Sequence, residues 1–258
     1  MPFTPSHAIV ALPFLRTRLV AAAIAVGAMT PDLPLFVRGT PLSYVGTHDL
    51  RWLPATIVLA LGLLLVWRCV LRPAVRELSP RALAARLPVS WDARAAAGWR
   101  ETLLGGWRSA ALLVASLAIG VASHVLWDAF AHEGRLGTEL VPLLDERWGP
   151  LVGYKWVQHG SSAIGLAVLA IWALLWVRGR GAVPVRRVLP DTVRLAWWLS
   201  LPLALALAWI VGLAAYGPLT DGFTVAHLAY RALPPACAAW GVLTLMLSVA
   251  TQVARARR

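Results

Sequence analysis

Between Arg194 and Asp221 the chain reads LAWWLSLPLALALAWIVGLAAYGPLT, residues 195–220, with neither a charge nor a histidine. A helix needs about 20 predominantly apolar residues to cross roughly 30 Å of hydrocarbon, so this stretch by itself points to a membrane protein. Four more uninterrupted stretches follow the same rule: 52–67, 109–123, 160–177 and 232–254. Lipid offers no water to backbone polar groups, and the Leu, Ala and Val content favours helices over alternating strands. Hydrophobic residues make up 59% of the 258, and charged residues 14%, far from the balance of a soluble domain. The expected fold is all-α, a polytopic transmembrane helical bundle with five full spans in a single integral membrane domain over 1–258.

Charge orients the spans. The net charge of +12 could suit a nucleic-acid binder, but the arginines are not spread over one face. Arg68, Arg72, Arg76, Arg81, Arg86, Arg94, Arg100 and Arg108 crowd one segment, Arg178, Arg180, Arg186, Arg187 and Arg194 a second, and Arg255, Arg257 and Arg258 the C-terminus. Such clusters mark cytoplasmic ends, which removes the need for a nucleic-acid partner. The intervening loop 129–158 carries Glu133, Glu139, Asp145 and Glu146 and falls outside. Residues 72–107 are the Arg-rich cytoplasmic loop, either a helix on the membrane surface or a solvated linker. Cys69 and Cys237 fall near opposite ends of their helices, so a disulfide between them is not expected. No basic residue precedes the first apolar stretch, and Met29-Thr30-Pro31-Asp32 is no signal-peptidase site, so the N-terminus is expected to stay attached.

The first 31 residues admit two paths. Thr4-Pro5-Ser6 is a good helix start, Arg16-Thr17-Arg18 interrupts, and Leu19–Thr30 makes a second run of only about 18 Å. A sixth span would bury two arginines at mid-membrane, which is costly. A re-entrant helical hairpin turning at the arginines avoids that cost and is preferred; it leaves His7 and Asp32 near the outer side.

Ionisable residues inside spans are functional candidates. Ser123-His124-Val125-Leu126-Trp127-Asp128-Ala129-Phe130-Ala131-His132 sets polar groups at i, i+4 and i+8, so His124 and Asp128 share one helix face. Imidazole and carboxylate together suit zinc. With the charge-derived orientation, His48, His124, Asp128 and His159 lie at the outer end, joined by His7 and Asp32 if the hairpin forms and by His132 nearby. The plainer alternative is an ion pair between His124 and Asp128, with the other histidines at the interface.

Met1-Pro2-Phe3-Thr4-Pro5-Ser6-His7, Gly27-Ala28-Met29-Thr30-Pro31-Asp32, the segment from Ser123 to His132, and Gln158-His159-Gly160-Ser161-Ser162 together resemble an uncharacterised bacterial membrane family known as domain of unknown function 4184. The chain is also similar to membrane-bound metal-dependent hydrolases and, more distantly, to the zinc-dependent phospholipase C and P1 nuclease group. That likeness implies a site of Asp32, His48, His124 and Asp128, with His7 and Asp128 contributing to a second, and one or two zinc ions. His132 and His159 would stand for the later histidines of the pattern. Ala163 occupies a position where the soluble enzymes carry Glu, which argues against a third site.

On that basis the expected activity is hydrolysis of an ester or phosphoester, with a lipid as one substrate, at the outer face of the bacterial inner membrane. Asp49 is the candidate base, or the partner that fixes the tautomer of His48; Arg38 and Arg51 could receive a phosphate. Two other functions compete: a transporter or channel whose path uses His124, Asp128, His227 and Asp221, and a non-catalytic protein that a metal stabilises.

Overall fold

The computed structural model describes residues 3–257, and among them the fold is all-α apart from a two-residue ladder that pairs Arg147–Trp148 with Leu151–Val152. Five helices are long and apolar enough to cross a membrane: Leu50–Leu78, Gly106–Ala131, Gly153–Arg178, Asp191–Tyr216 and Val225–Ala256. Four of them contain one of the charge-free stretches whole, and Asp191–Tyr216 contains all of 195–220 but its last four residues, where Gly217 ends the helix. The protein is therefore a polytopic α-helical membrane protein.

The described residues divide into two compact units. The first draws on Met1–Leu33, Ser43–Val66 and Trp99–Gly179, the second on Pro34–Leu42, Trp67–Gly98 and Arg180–Arg258.

In the first unit, residues 4–32 fold back on themselves. An arm of 3-10 helix, Thr4–Phe14, leads to a turn at the arginines, and α1 (Ala21–Met29) returns, followed by one 3-10 turn, Thr30–Asp32. The Thr4 hydroxyl donates to Asp32 Oδ2 at 2.6 Å, so the two ends of the hairpin meet. The helix type accounts for that match. Eleven residues of 3-10 helix rise about 22 Å, against about 16 Å for the same number in an α-helix; the longer arm comes close to the returning one in length and lets Thr4 reach Asp32. Ser116 Oγ, on the span behind, accepts the Val20 N–H at 2.9 Å and fixes the turn. Neither arm is long enough for about 30 Å of hydrocarbon.

The returning arm lies against α3 (Gly106–Ala131) at very close range. A Cβ on Gly27 would come 2.5 Å from the Leu117 carbonyl oxygen, and one on Gly120 would come 2.2 Å from that of Ile24. Around this crossing Ala23, Ile24, Ala28, Leu117 and Val121 are buried. Small residues let membrane helices approach closely enough to pack without a hydrophobic drive. The rest of the unit comprises α2 (Leu53–Val66), the first part of the Leu50–Leu78 span, and α4 (Gly153–Arg178). Gly165 of α4 lies where a Cβ would be 3.1 Å from Ser6 atoms, which seats the 3-10 arm on α4.

The second unit is built around a buried carboxylate. The segment read as an arginine loop from residue 72 begins inside a helix, since Arg72–Leu78 completes the Leu50–Leu78 span. Arg76 and Glu77 are buried there. Glu77 accepts from Arg194 Nη1 at 2.9 Å, Arg255 Nη2 at 3.4 Å and the backbone N–H groups of Val188 and Leu189 at 3.1 Å. Arg76 pairs with Asp92. A buried charge is retained only when it is paired and hydrogen-bonded, which is why this stretch does not run free in solvent. The remainder of 79–103 is a series of short helices, Arg81–Ala84, Val89–Asp92 and Ala95–Leu103. Against them stand α5 (Asp191–Tyr216) and α6 (Val225–Ala256), joined by hydrogen bonds from Trp197 to Thr244 and from Trp240 to Ser200, each 3.0 Å.

The glycine crossing gives a direct test. Gly120→Val drives methyl groups into the Ile24 carbonyl and should lower stability by about 1–3 kcal/mol, the usual cost of overpacking, read as a fall in the thermal midpoint of the detergent-purified protein. Gly160→Ala, where an added Cβ meets open space, should leave the midpoint unchanged.

Candidate metal centre

Four buried side chains converge at one end of the first unit: Asp32, His48, His124 and Asp128, each offering one ligand atom, with all four atoms within 4.8 Å of one another. They arrive from three local structures. Asp32 closes the 3-10 turn that Thr30 and Pro31 open after α1, before helix resumes at Leu33–Phe36. His48 follows the short helix Tyr44–Thr47, which Ser43 caps by accepting the Gly46 N–H. The Thr47 hydroxyl donates to the Pro31 carbonyl at 2.7 Å and thereby ties the His48 segment to the Asp32 turn. His124 and Asp128 occupy one face of α3, one turn apart.

The tautomers follow from the partners. His48 Nδ1 lies 2.9 Å from the Tyr44 carbonyl oxygen, and His124 Nδ1 lies 2.7 Å from that of Ala28. A carbonyl can only accept, so both imidazoles carry their proton on Nδ1. Their Nε2 lone pairs then face each other at 3.2 Å. Asp32 Oδ1 stands 3.9 Å from His48 Nε2 and 3.7 Å from His124 Nε2; Asp128 Oδ2 stands 3.5 and 3.6 Å from the same atoms. Four acceptors thus surround one point with no proton among them, an arrangement that repels itself unless a cation is shared.

The spacing fits an ion as well. Donors on a tetrahedron with bonds of about 2.0–2.2 Å stand about 3.3–3.6 Å apart, and the five distances above bracket that range. Asp32 Oδ1 is buried without a hydrogen-bond partner, and so are two atoms beside the four, Asp128 Oδ1 and His7 Nε2. Buried polar groups are almost always satisfied, so these atoms and the four donors together are what a cation would satisfy. The donor set can hold a metal ion.

His7 flanks the group. Its ring stacks on His124 with centroids 4.0 Å apart, and Nε2 is 3.7 Å from Asp128 Oδ1. Asp128 therefore turns one oxygen toward the four-donor set and the other toward His7. Tyr44 closes another side: its hydroxyl donates to Asp128 Oδ2 at 3.4 Å, and burial together with the Asp128 and Asp32 carboxylates holds the phenol above the usual tyrosine range. It stays a donor.

The other expected residues are placed differently. His132 caps α3 and is half-buried; Nδ1 is 3.0 Å from the Asp128 carbonyl oxygen, and Nε2 is 3.4 Å from the Gln158 amide nitrogen. Burial lowers its pKa despite the nearby Asp128, and a neutral ring with both nitrogens engaged supports Asp128 rather than joining the donors. His159 is exposed, and the buried residue at that point of α4 is Gln158. Asp49 spends Oδ1 on the Arg51 N–H at 2.9 Å, capping the turn that opens the Leu50–Leu78 span. The carbonyl of Tyr44, not Asp49, fixes the His48 tautomer. Arg38 is engaged with Tyr230, donating to its carbonyl and lying 4.4 Å over its ring. Sequence patterns did not single out Thr4, Tyr44, Thr47 or Gln158.

Competition of the purified protein with a chromogenic chelator separates these roles. His132→Ala should weaken metal affinity about 10–100-fold, the usual cost of losing a supporting partner, while His159→Ala and Asp49→Ala should leave it unchanged.

Among curated proteins and solved structures, none matches the chain. The family model described as "Domain of unknown function (DUF4184)" matches residues 1–251, which includes the hairpin, all four donors and all but the end of α6. The chain belongs to that family.

Proposed function

We propose that the protein is a membrane-embedded, metal-dependent hydrolase, with zinc as its ion, that cleaves an ester or phosphoester at the outer face of the bacterial inner membrane. The observation that carries this is the meeting of two Nδ1-protonated histidines and two carboxylates around one buried point, with His7 left unpartnered beside them. Two nitrogens and two oxygens suit zinc better than the all-oxygen shells of magnesium or calcium. When bound, such an ion supplies Lewis-acid chemistry: it makes water nucleophilic near neutral pH and stabilises charge developing on the substrate oxygen.

The remaining work falls to the chain itself. Ala28 and Tyr44 carbonyls lock the two imidazoles in the tautomer that presents Nε2. Thr4 holds Asp32 through Oδ2 and leaves Oδ1 directed at the histidines. His7 Nε2, buried and unpaired 3.7 Å from Asp128 Oδ1, can take a proton from the attacking group and return it to the leaving group, or contribute to a second ion. Either role needs the base in reach of the reacting atoms, which its place against His124 provides.

The transport alternative lacks support in the spans. Thr244, Ser248 and Thr251 donate to the carbonyls one turn earlier, at 2.9, 2.7 and 2.9 Å, and Ser200 donates to Trp197 O at 2.7 Å. His227 is exposed and spends Nδ1 on its helix cap at Thr224. These polar groups serve their own helices and, at Ser200 and Thr244, the contact between α5 and α6.

Elemental analysis of the detergent-purified protein should find zinc in stoichiometric amount, and Asp128→Ala and His124→Ala should lose it. Hydrolysis of a chromogenic ester or phosphodiester should stop on chelation and return on adding zinc; zinc retained in both variants would sink the site, and hydrolysis indifferent to chelation would sink the mechanism. Sidedness has its own test: a cysteine placed at Asp145 should react with an impermeant reagent from outside intact cells, and reaction only after the cytoplasm is opened would reverse the orientation.

A further inference from the structure

The first unit contains a groove of about 660 Å³ bounded by the Thr4–Phe14 arm, α3 and α4. This volume lies within the range of small-molecule sites, about 300–1,000 Å³. Ile9, Val10, Trp127, Trp156, Val157 and Ile164 give it apolar walls. Three serines also line it, and each has spent its one hydroxyl proton within its own segment, Ser6 on Phe3 O at 2.7 Å, Ser123 on Gly120 O at 2.7 Å and Ser161 on Gln158 O at 3.3 Å, which leaves them only as acceptors. The titratable group of the lining is His7, whose Nε2 lies 3.7 Å from Asp128 Oδ1. One side chain thus separates an apolar groove from the donor group.

The surroundings define the occupant. Trp127, Trp156 and Ile164 are 46%, 43% and 65% exposed on helices apolar enough to span the membrane, so the groove opens on hydrocarbon. We propose that it holds one hydrocarbon chain of an amphiphilic substrate, whose ester or phosphoester end lies at His7 and the donor group. The word substrate rests on the hydrolase function proposed above; occupation by a headed single chain does not. Lipid tails are as apolar as the groove, so entry of a chain gains nothing from the hydrophobic effect. Selectivity must therefore come from the polar end, and a chain with no head group should not be retained.

That difference is measurable in nanodiscs. Two photoreactive probes are compared, a hexadecyl phosphonate and a hexadecane, each with the same mid-chain diazirine. The phosphonate should label the peptide containing residues 156–165 about tenfold more than the hydrocarbon does, a ratio worth about 1.4 kcal/mol. Gly160→Leu fills the groove from a position where an added carbon meets open space; it should abolish that labelling while metal content and labelling of α5 stay as they were. Ile164→Gln, which adds a polar group to the wall without narrowing it, should reduce labelling too. Equal labelling by both probes, or labelling unchanged in both variants, would mark an ordinary lipid seam and overturn the groove assignment. Selective labelling in a zinc-loaded protein that cleaves no ester would keep the groove and defeat the hydrolase function; cleavage without selective labelling would do the reverse.

Discussion

The site depends on how closely two helix backbones can approach. Gly27 and Gly120 lack side chains where α1 crosses α3, and only for that reason does the Ala28 carbonyl come within 2.7 Å of His124 Nδ1. That one hydrogen bond decides which nitrogen of His124 is free. The same crossing carries the 3-10 turn that ends at Asp32, so the packing that sets the tautomer also delivers the first carboxylate. Thr47 then joins the His48 segment to the turn. The donor geometry is thus a consequence of backbone contact between small residues, a common source of precision in membrane proteins.

Burial makes that geometry consequential. Two carboxylates out of water, beside two imidazoles that turn lone pairs inward, form a cluster of negative potential in a region where charge is expensive. Protein donors offset part of this: Thr4 reaches Asp32, and Tyr44 reaches Asp128. Asp32 Oδ1 and Asp128 Oδ1 are left without partners. The second unit shows what the chain does when a buried carboxylate is only structural, since Glu77 is surrounded by two arginines and two backbone N–H groups. The contrast separates a carboxylate whose partners are complete from two that could share a cation.

Much of this was legible in the sequence, for physical reasons that differ by feature. The spans were readable because lipid demands long apolar runs, and 195–220 needs no neighbour to be recognised. His124 and Asp128 were readable because i and i+4 share a helix face. Asp32 and His48 were brought to the same outer layer by the hairpin and the charge-derived orientation, but joining them in one site required the family resemblance, since nothing local says that a turn after Pro31 and a loop at residue 48 will meet. The 3-10 form of the first arm, Thr4–Phe14, was not legible, since Thr4-Pro5-Ser6 reads equally as the start of an α-helix. His159 was expected at the site from the charge-derived orientation and the family resemblance. The helix face told otherwise: Tyr154, Gln158 and Gly165, at spacings of four and seven, form the buried side of α4, and His159 lies about 100° away. Tyr44 sits four residues before His48 and could have been found by the spacing used for His124 and Asp128. Glu77 could not, because Arg194 and Arg255 are 117 and 178 residues distant.

The central claim is that Asp32, His48, His124 and Asp128 share one ion. X-ray absorption at the metal edge of the purified protein addresses it without reference to activity. The account predicts a first shell of nitrogen and oxygen only, at about 2.0–2.2 Å, with the outer-shell scattering of two imidazole rings. A sulfur shell near about 2.3 Å, which would draw on Cys69 or Cys237, or the absence of any metal edge in protein equilibrated with zinc, would contradict it.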